Sequence, residues 1–325
     1  VSELSAATAA NWLLSHGYPG AGIQFTELGG GISNKVVLAE SPDFRAVLKQ
    51  SLGQLRTELG WYSDRDRIFR ESGVMRWLRQ KSLSGGQVPG ILFEDPETFT
   101  IAMEAAPAGS EMWKTRLFRG EFDSSAARSA GIMLGSMISA SWNDPEADRL
   151  FGDQTIFTQL RIEPYYCHTA AHYPEAAQYI ENLVERSLAR RVSLVHGDWS
   201  PKNLLRHGSE LWAIDWEVIH FGDPGFDAGF LLNHLLLKSI AMPQHKRALQ
   251  NLAGEFIKGL TCSVPSGADW VVTSALEHLP ALILARVFGK SPAEYLDAEM
   301  RRRAACLAMD LMNRPPVSVE EVFSR

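Results

Sequence analysis

His196-Gly197-Asp198-Trp199-Ser200-Pro201-Lys202-Asn203, followed by Ile214-Asp215-Trp216-Glu217, constrains this chain more than any other stretch. It sets a carboxylate, an amide five positions on, and a second carboxylate after a short gap. Asp198 can take a proton from an attacking hydroxyl. Asn203 and Asp215 offer oxygen ligands to Mg²⁺, a hard cation that prefers oxygen. Residues 192–195 and 211–214 are β-prone, and the polar run 206–210 reads as a hairpin turn. Both carboxylates are therefore expected at one end of a small hairpin.

The 325 residues are enough for two lobes, each with its own core. With 45% hydrophobic and 22% charged residues, the composition is that of a globular protein. A net charge of -6 argues against a nucleic-acid or membrane-surface partner, which would call for a basic excess. Arg301-Arg302-Arg303 reads as a solvated helix face. Three scattered cysteines without a CxxC spacing point to neither a zinc site nor a disulfide framework. Residues 1–17 lack the basic and apolar regions of a secretory signal, so a cytoplasmic setting is expected. The apolar runs 230–237 and 279–287 are interrupted by Asn233, His234 and Arg286, and read as buried helices rather than membrane spans.

Along the chain, residues 4–15 have helical periodicity. Strands are expected at 23–28, 35–40 and 44–50, with Gly29-Gly30-Gly31-Ile32-Ser33-Asn34 as the first turn. A long helix follows over 63–81, then a hairpin of 91–93 with 99–103. Glu104 to Gly109 is the boundary candidate, dividing the chain into 1–104 and 105–325. Beyond it, helices are expected at 124–142, 156–168, 175–190, 226–240, 243–261 and 269–288. The fold class is α+β: two lobes, a small antiparallel-sheet N-lobe and a mainly helical C-lobe, with the catalytic residues at the junction.

These residues resemble the superfamily of aminoglycoside phosphotransferases, choline kinases and methylthioribose kinases, which has a protein-kinase-like fold. Three blocks carry the resemblance in order: His196-Gly197-Asp198 with Asn203, Ile214-Asp215-Trp216-Glu217, and Gly222-Asp223-Pro224-Gly225-Phe226-Asp227. Arg67-Ile68-Phe69-Arg70-Glu71, Gly225-Phe226-Asp227-Ala228-Gly229 and Gly289-Lys290-Ser291-Pro292 are similar to the methylthioribose kinase branch.

The resemblance implies ATP and Mg²⁺ as cofactors and a small-molecule acceptor, on a monomer or homodimer. It makes Asp198 the base, and Asn203 and Asp215 the catalytic metal ligands. The glycine-rich turn becomes a nucleotide loop in which the Gly30 and Gly31 backbone, Ser33 and Asn34 meet phosphate oxygens. Lys49 becomes the strand lysine for the α- and β-phosphates, held by Glu71, with Glu58 as the other choice. Glu104 to Ala106 becomes a hinge whose backbone meets the adenine edge. His196 and Asp227 are expected to hold the catalytic loop by hydrogen bonds, and Lys202 reads as a plain loop lysine. For the acceptor, Asp198, Trp199, Glu217, Asn233 and Arg286 are candidates, with His220, Phe221 and His234 nearby. His234 reads as a satisfied core histidine. Trp113, Trp142 and Trp270 read as core rather than as a cation-binding box.

The function this implies is an alcohol-group phosphotransferase resembling aminoglycoside phosphotransferases. The alternatives are a methylthioribose-type sugar kinase and a non-catalytic nucleotide-binding pseudokinase. A protein kinase is disfavoured, because the short stretch from Asp215 to Asp223 leaves no room for an activation loop.

Overall fold

A computed structural model describes residues 3–29, 33–56 and 61–325. The chain divides into two compact units, Val1–Lys81 with Val88–Ala108, and Ser82–Gln87 with Gly109–Arg325.

The first unit holds α1 (Ala9–Ser15), β1 (Gln24–Glu27), β2 (Asn34–Ser41), β3 (Phe44–Ser51), α2 (Arg67–Lys81), β4 (Ile91–Asp95) and β5 (Thr100–Glu104). The strands form one antiparallel sheet in the order β1-β2-β3-β5-β4. Strand side chains alternate between faces. Leu48 joins Trp12 and Leu13 of α1, Val37, Ala39, Phe93 and Ala102 in one apolar cluster. Its neighbour Lys49 points the other way and reaches Glu71 of α2. The sheet thus carries a helix on each face.

The second unit begins with β6 (Glu111–Met112), α3 (Trp113–Phe118), α4 (Ser124–Ser141) and α5 (Pro145–Phe151). The short α6 (Thr155–Phe157) leads into a π-helix (Thr158–Cys167), α7 (His168–His172) and α8 (Ala177–Ala189). Then come β7 (Ser193–Val195), β8 (Leu204–His207), β9 (Glu210–Ala213) and β10 (His220–Gly222). The unit ends with α9 (Gly225–Ala241), α10 (Lys246–Thr261), α11 (Trp270–Phe288), α12 (Ala298–Asn313) and α13 (Val319–Ser324).

Three expectations need correction. The 192–195 strand does not belong to the same hairpin as 211–214. β7 pairs with β10, while β8 and β9 form the hairpin, with β6 beside β8. The turn chemistry was readable, but strand partners depend on pairing that local sequence does not encode. The 156–168 helix is mostly π-helix, with Pro164 inside it. Proline has no N–H to donate, so one bond of a regular α ladder is missing there. The unit boundary also differs from 104/105. Ser82–Gln87 belongs with the second unit because the Gln87 N–H donates to the Leu211 carbonyl (2.7 Å) and its carbonyl accepts from Ala213 (3.0 Å).

α11 is long and apolar enough to cross a bilayer by length and composition. It is mostly buried, packed against α9 and α12. α4 starts at the Asp123 cap, whose carboxylate accepts from the Ser125 and Ala126 amides. It meets α10 at unusually close range. A Cβ on Gly131 would lie 2.1 Å from the Phe256 carbonyl oxygen, and one on Gly259 would lie 2.2 Å from that of Arg128. Neither backbone carbonyl can step aside without moving its helix. Gly131→Ala and Gly259→Ala are each expected to destabilise the protein by about 2 kcal/mol through overpacking. Thermal melts check this; unchanged midpoints for both variants would mean that the helices do not pack this closely.

Candidate active site

The catalytic-type loop leaves β7 at Val195, and a buried carboxylate holds its first turn. Asp227, in the first turn of α9, accepts from the backbone N–H of His196 (2.6 Å) and of Gly197 (2.9 Å). This is the role expected for Asp227. Burial pushes its carboxyl up to about 7, against the pull of those two amides.

His196 ties the loop to the next segment. Its Nδ1 accepts from the Asp198 N–H (3.2 Å), so the proton sits on Nε2, which donates to the Ile214 carbonyl (3.1 Å). Burial drives the imidazole down to about 4, so the ring is neutral and serves as a strut. Trp199 and Trp216 are buried against it, with ring centroids at 5.4 and 4.5 Å. Trp199 therefore fills the core under the loop instead of offering a face to an acceptor.

Asp198 is buried between two cations. Its Oδ2 lies 3.0 Å from the Arg161 guanidinium and 2.9 Å from the Lys202 ammonium. Among the described residues its Oδ1 receives just the Ser200 hydroxyl, at 3.3 Å. Burial alone would raise the Asp198 carboxyl, but Lys202 and Arg161 outweigh it and hold the group below its ordinary range. Lys202 is thus not a plain loop lysine. Arg161 was missing from the sequence reading altogether. It sits in the π-helix, donates to the Gly197 carbonyl (2.6 Å), and was hidden inside a segment read as an ordinary helix. A charged residue between Leu160 and Ile162, three positions before an internal proline, was the available signal.

Asn203 and Asp215 come from segments joined by a backbone bond, Ile214 N–H to the Asn203 carbonyl (3.0 Å). The Asn203 amide nitrogen donates to the Asp198 carbonyl (3.0 Å), which orients its Oδ1 away from the loop backbone. Asp215 is half-buried and has φ +67°, the left-handed region that side chains disfavour. Such strain costs roughly 1–3 kcal/mol and is found where a side chain must be aimed. Glu217 is buried close enough to add to the field on Arg161.

In the first unit, Lys49 and Glu71 meet as expected. The ammonium lies 2.9 and 2.7 Å from the two carboxylate oxygens, and both residues are buried. Gly30, Gly31 and Glu58 lie outside the described residues. Ser33 and Asn34 are buried and bond to each other, Asn34 Nδ2 to Ser33 Oγ at 3.0 Å. Arg67 holds the backbone at Ser33: it donates to the carbonyls of Ser33 (2.6 Å), Leu52 (2.9 Å), Asp64 (2.8 Å) and Ser63 (3.3 Å). At the expected hinge, the Glu104 N–H bonds the Gly90 carbonyl and the Ala106 carbonyl accepts from Arg45. The Glu104 carboxylate is taken by Arg79 and the Gly90 amide.

Residues 24–253, more than half of the chain, match the family model described as the phosphotransferase enzyme family, APH. The chain belongs to the phosphotransferase enzyme family. A methylthioribose kinase from Enterobacter sp. (strain 638) is 23% identical over 70% of this chain. The chain spans 63% of that relative, and less than two thirds of the length of each curated relative it matches. Among solved structures, choline kinase from Cryptosporidium parvum Iowa II aligns with TM-score 0.57 and 12% identity, over 99% of this chain and all of that one. Amicoumacin kinase hAmiN, in complex with AMP-PNP, Ca²⁺ and Ami, aligns at 0.56 with 15% identity, over 90% and 89% of the two chains. The α+β fold of this phosphotransferase-family chain is therefore that of the aminoglycoside phosphotransferases and choline kinases.

In this family member, no group of three or more His, Cys, Asp and Glu residues stands ready to hold a metal alone, among the described residues. Asn203 and Asp215 fit a different demand. One neutral and one anionic oxygen donor suit Mg²⁺, which keeps several waters and phosphate oxygens as its other ligands.

The acceptor candidates divide. Arg286 of α11 is half-buried and bonds the Tyr165 hydroxyl (3.4 Å) and Ser291. Asn233 is fully buried, yet among the described residues neither amide atom has a partner. The His234 ring packs edge-on against Phe230 and makes no hydrogen bond among the described residues, so it is not the satisfied core histidine of the sequence reading. Trp113 is core, as read. Trp142 and Trp270 pair at 6.0 Å, and the Arg190 guanidinium, not a ligand, lies over Trp270.

The folded His196 ring protonates near 4, against 6.5 for an ordinary histidine. Between those values the unfolded chain binds the extra proton. The stability that depends on the neutral ring is therefore complete above pH 6.5 and is lost as pH falls toward 4. The loss is on the order of 3 kcal/mol. His196→Gln keeps a donor for Ile214 and is expected to flatten that slope. Urea melts of both proteins between pH 7.5 and 4.5 check this. Asp227 titrates in both, so the difference isolates His196; parallel curves would overturn the account.

Proposed function

We propose that this chain is an ATP- and Mg²⁺-dependent kinase that phosphorylates a hydroxyl of a small polar acceptor. One observation carries the reading: Asp198 is held ionised by Arg161 and Lys202 through Oδ2, which leaves Oδ1 as the oxygen that can receive a proton. The acceptor hydroxyl donates to Oδ1 as its oxygen bonds to the γ-phosphorus. The bond from that phosphorus to the β–γ bridging oxygen breaks, ADP leaves, and the proton stays on Asp198. A carboxylate kept below its usual range is a weak base. That suffices where phosphoryl transfer is loose and the proton moves late.

Lys49, oriented by Glu71, would meet the α- and β-phosphates. Among the described residues the Ala106 N–H makes no hydrogen bond, which suits the adenine edge. Mg²⁺ at Asn203 Oδ1 and Asp215 would neutralise charge on the phosphate oxygens. The three cysteines are free and exposed, which suits a reducing cytoplasm.

A methylthioribose-type sugar acceptor is the second reading, supported by the likeness to the Enterobacter kinase. A non-catalytic nucleotide binder would not need the Asp198, Asn203 and Asp215 set kept intact.

Asp198→Asn is expected to lower kcat by about 10²–10⁴-fold while leaving ATP affinity unchanged. Turnover of MgATP against a panel of pentoses, methylthioribose, amino alcohols and aminoglycosides is the assay. Undiminished transfer in the variant would remove Asp198 from the chemistry. Lys49→Met is expected to raise the KM for ATP about tenfold or more. An unchanged KM would leave Lys49 a structural partner of Glu71.

A further inference from the structure

Most buried cations of this chain have evident acceptors. Arg67 has four carbonyls, Lys49 has Glu71, Arg161 has Asp198, Arg190 has Asp223 and Arg206 has Asp123. One patch of the second unit breaks that pattern. Lys238, in the last turn of α9, is 1% exposed, and among the described residues no carboxylate meets it. Among the described residues its ammonium makes one hydrogen bond, 3.4 Å to the His234 carbonyl, and it lies 5.2 Å from the ring centroids of Phe118 and Tyr295. Among the described residues Arg286 also lacks an acid partner, and its Nε has no acceptor. Lys114 on α3 forms no ion pair among the described residues and is exposed. The C-terminal carbonyls of α9 stabilise one cation at that helix end, but not three.

Among the described residues the buried Tyr295 hydroxyl, on the ring beside Lys238, has no hydrogen-bond partner, and neither do the amide atoms of Asn233 earlier on α9. Buried groups of this kind are nearly always satisfied, by ligand or water if not by protein. α3 and the end of α9 meet here: Lys238 lies beside the Phe118 ring of α3, and the Lys114 N–H of the same helix donates to the Pro201 carbonyl of the catalytic-type loop (2.8 Å). Burial first, then Lys114 and Arg286, push the Lys238 ammonium down to about 7. Burial, then Lys238, Arg286, Lys202 and Lys114, drive the His234 imidazole well below its ordinary value. Side chains link the patch directly to the base: Asp198 to Arg161 (3.0 Å), Arg161 over the Tyr165 ring (5.5 Å), and the Tyr165 hydroxyl to Arg286 (3.4 Å).

Resting on the kinase reading above, we propose that the acceptor carries an oxyanion, a carboxylate or phosphate group, that docks on Arg286 and Lys114 while its hydroxyl meets Asp198. Lys238, buried behind them, adds positive field rather than a contact and is a positioning residue. The same field repels polycationic aminoglycosides and amino alcohols.

Calorimetric titration of the whole protein tests this with matched probes: glycerate against glycerol, ribose 5-phosphate against ribose, inorganic phosphate alone, and kanamycin and ethanolamine as cations. At least one anionic member is expected to bind about tenfold or more tightly than its neutral match. Glycerate and ribose 5-phosphate separate a carboxylate site from a phosphate site. Arg286→Gln and Lys238→Met are each expected to reduce that ratio about tenfold. A merely structural role would move stability without moving the ratio. Lys238→Met, which removes an unpaired buried charge, is expected to keep or raise the melting temperature, so it serves if Arg286→Gln fails to fold.

Silence from every anion overturns the proposal, as does equal binding of neutral or cationic probes or an unchanged ratio in both variants. The kinase reading fails separately: a bound anion would then receive no phosphate from MgATP in the unaltered protein, although the binding preference stands.

Discussion

The Asp227 carboxylate is the contact on which the second unit's chemistry depends. It is buried at the start of α9 and forms no ion pair among the described residues, a costly place for a charge. Two backbone amides answer it, and both belong to the loop that carries Asp198. The start of a helix is a favourable place for an acidic group, so α9 contributes through its own dipole. The loop, once fixed, sets everything after it. His196 faces Ile214, Asn203 is bonded to the Asp198 carbonyl, and Asp215 follows from a backbone already tied to Asn203. Polar contacts between backbone and side chain do this positioning, while Trp199 and Trp216 keep water from competing for them.

The two units solve the problem of buried charge in different ways. In the first, Lys49 and Glu71 neutralise each other, and Arg67 distributes its charge over four carbonyls. In the second, Asp198 takes two cations on one oxygen, so its other oxygen remains the more basic. Paired arrangements are self-sufficient. The patch around Lys238 is not, and that contrast within one chain gives the patch its significance.

Much of this was legible in the sequence. The Asp198, Asn203 and Asp215 block follows from residue types at fixed spacing, while the Lys49–Glu71 pairing and the loop-holding Asp227 were implied by the family resemblance those motifs carry. Their chemistry is local to short motifs. Helices α4, α8, α9, α10 and α11 of the second unit were legible because apolar periodicity marks a buried face. What stayed hidden depends on contacts between distant segments. Arg161 reaches Asp198 across 37 positions of sequence, and β7 finds β10 rather than β9. The π-helix was concealed because its residues have ordinary helical periodicity and only Pro164 disturbs it. Lys238 lay at the end of an apolar run, where a lysine normally looks like the solvated last turn of a helix.

The Ser82–Gln87 segment has a consequence for how this chain can be cut. β9 is the last strand of its three-stranded sheet, and Gln87 runs parallel along its open side, pairing with Trp212. The backbone groups of Leu211 and Ala213 are therefore capped by a piece of chain that comes before β5 in sequence. A fragment beginning at Gly109 would lose that cap and present a bare strand edge, a template for intermolecular pairing. The helical unit cannot be excised at a single point without making it prone to aggregate, because its sheet is finished by a strap that the other unit's sequence surrounds.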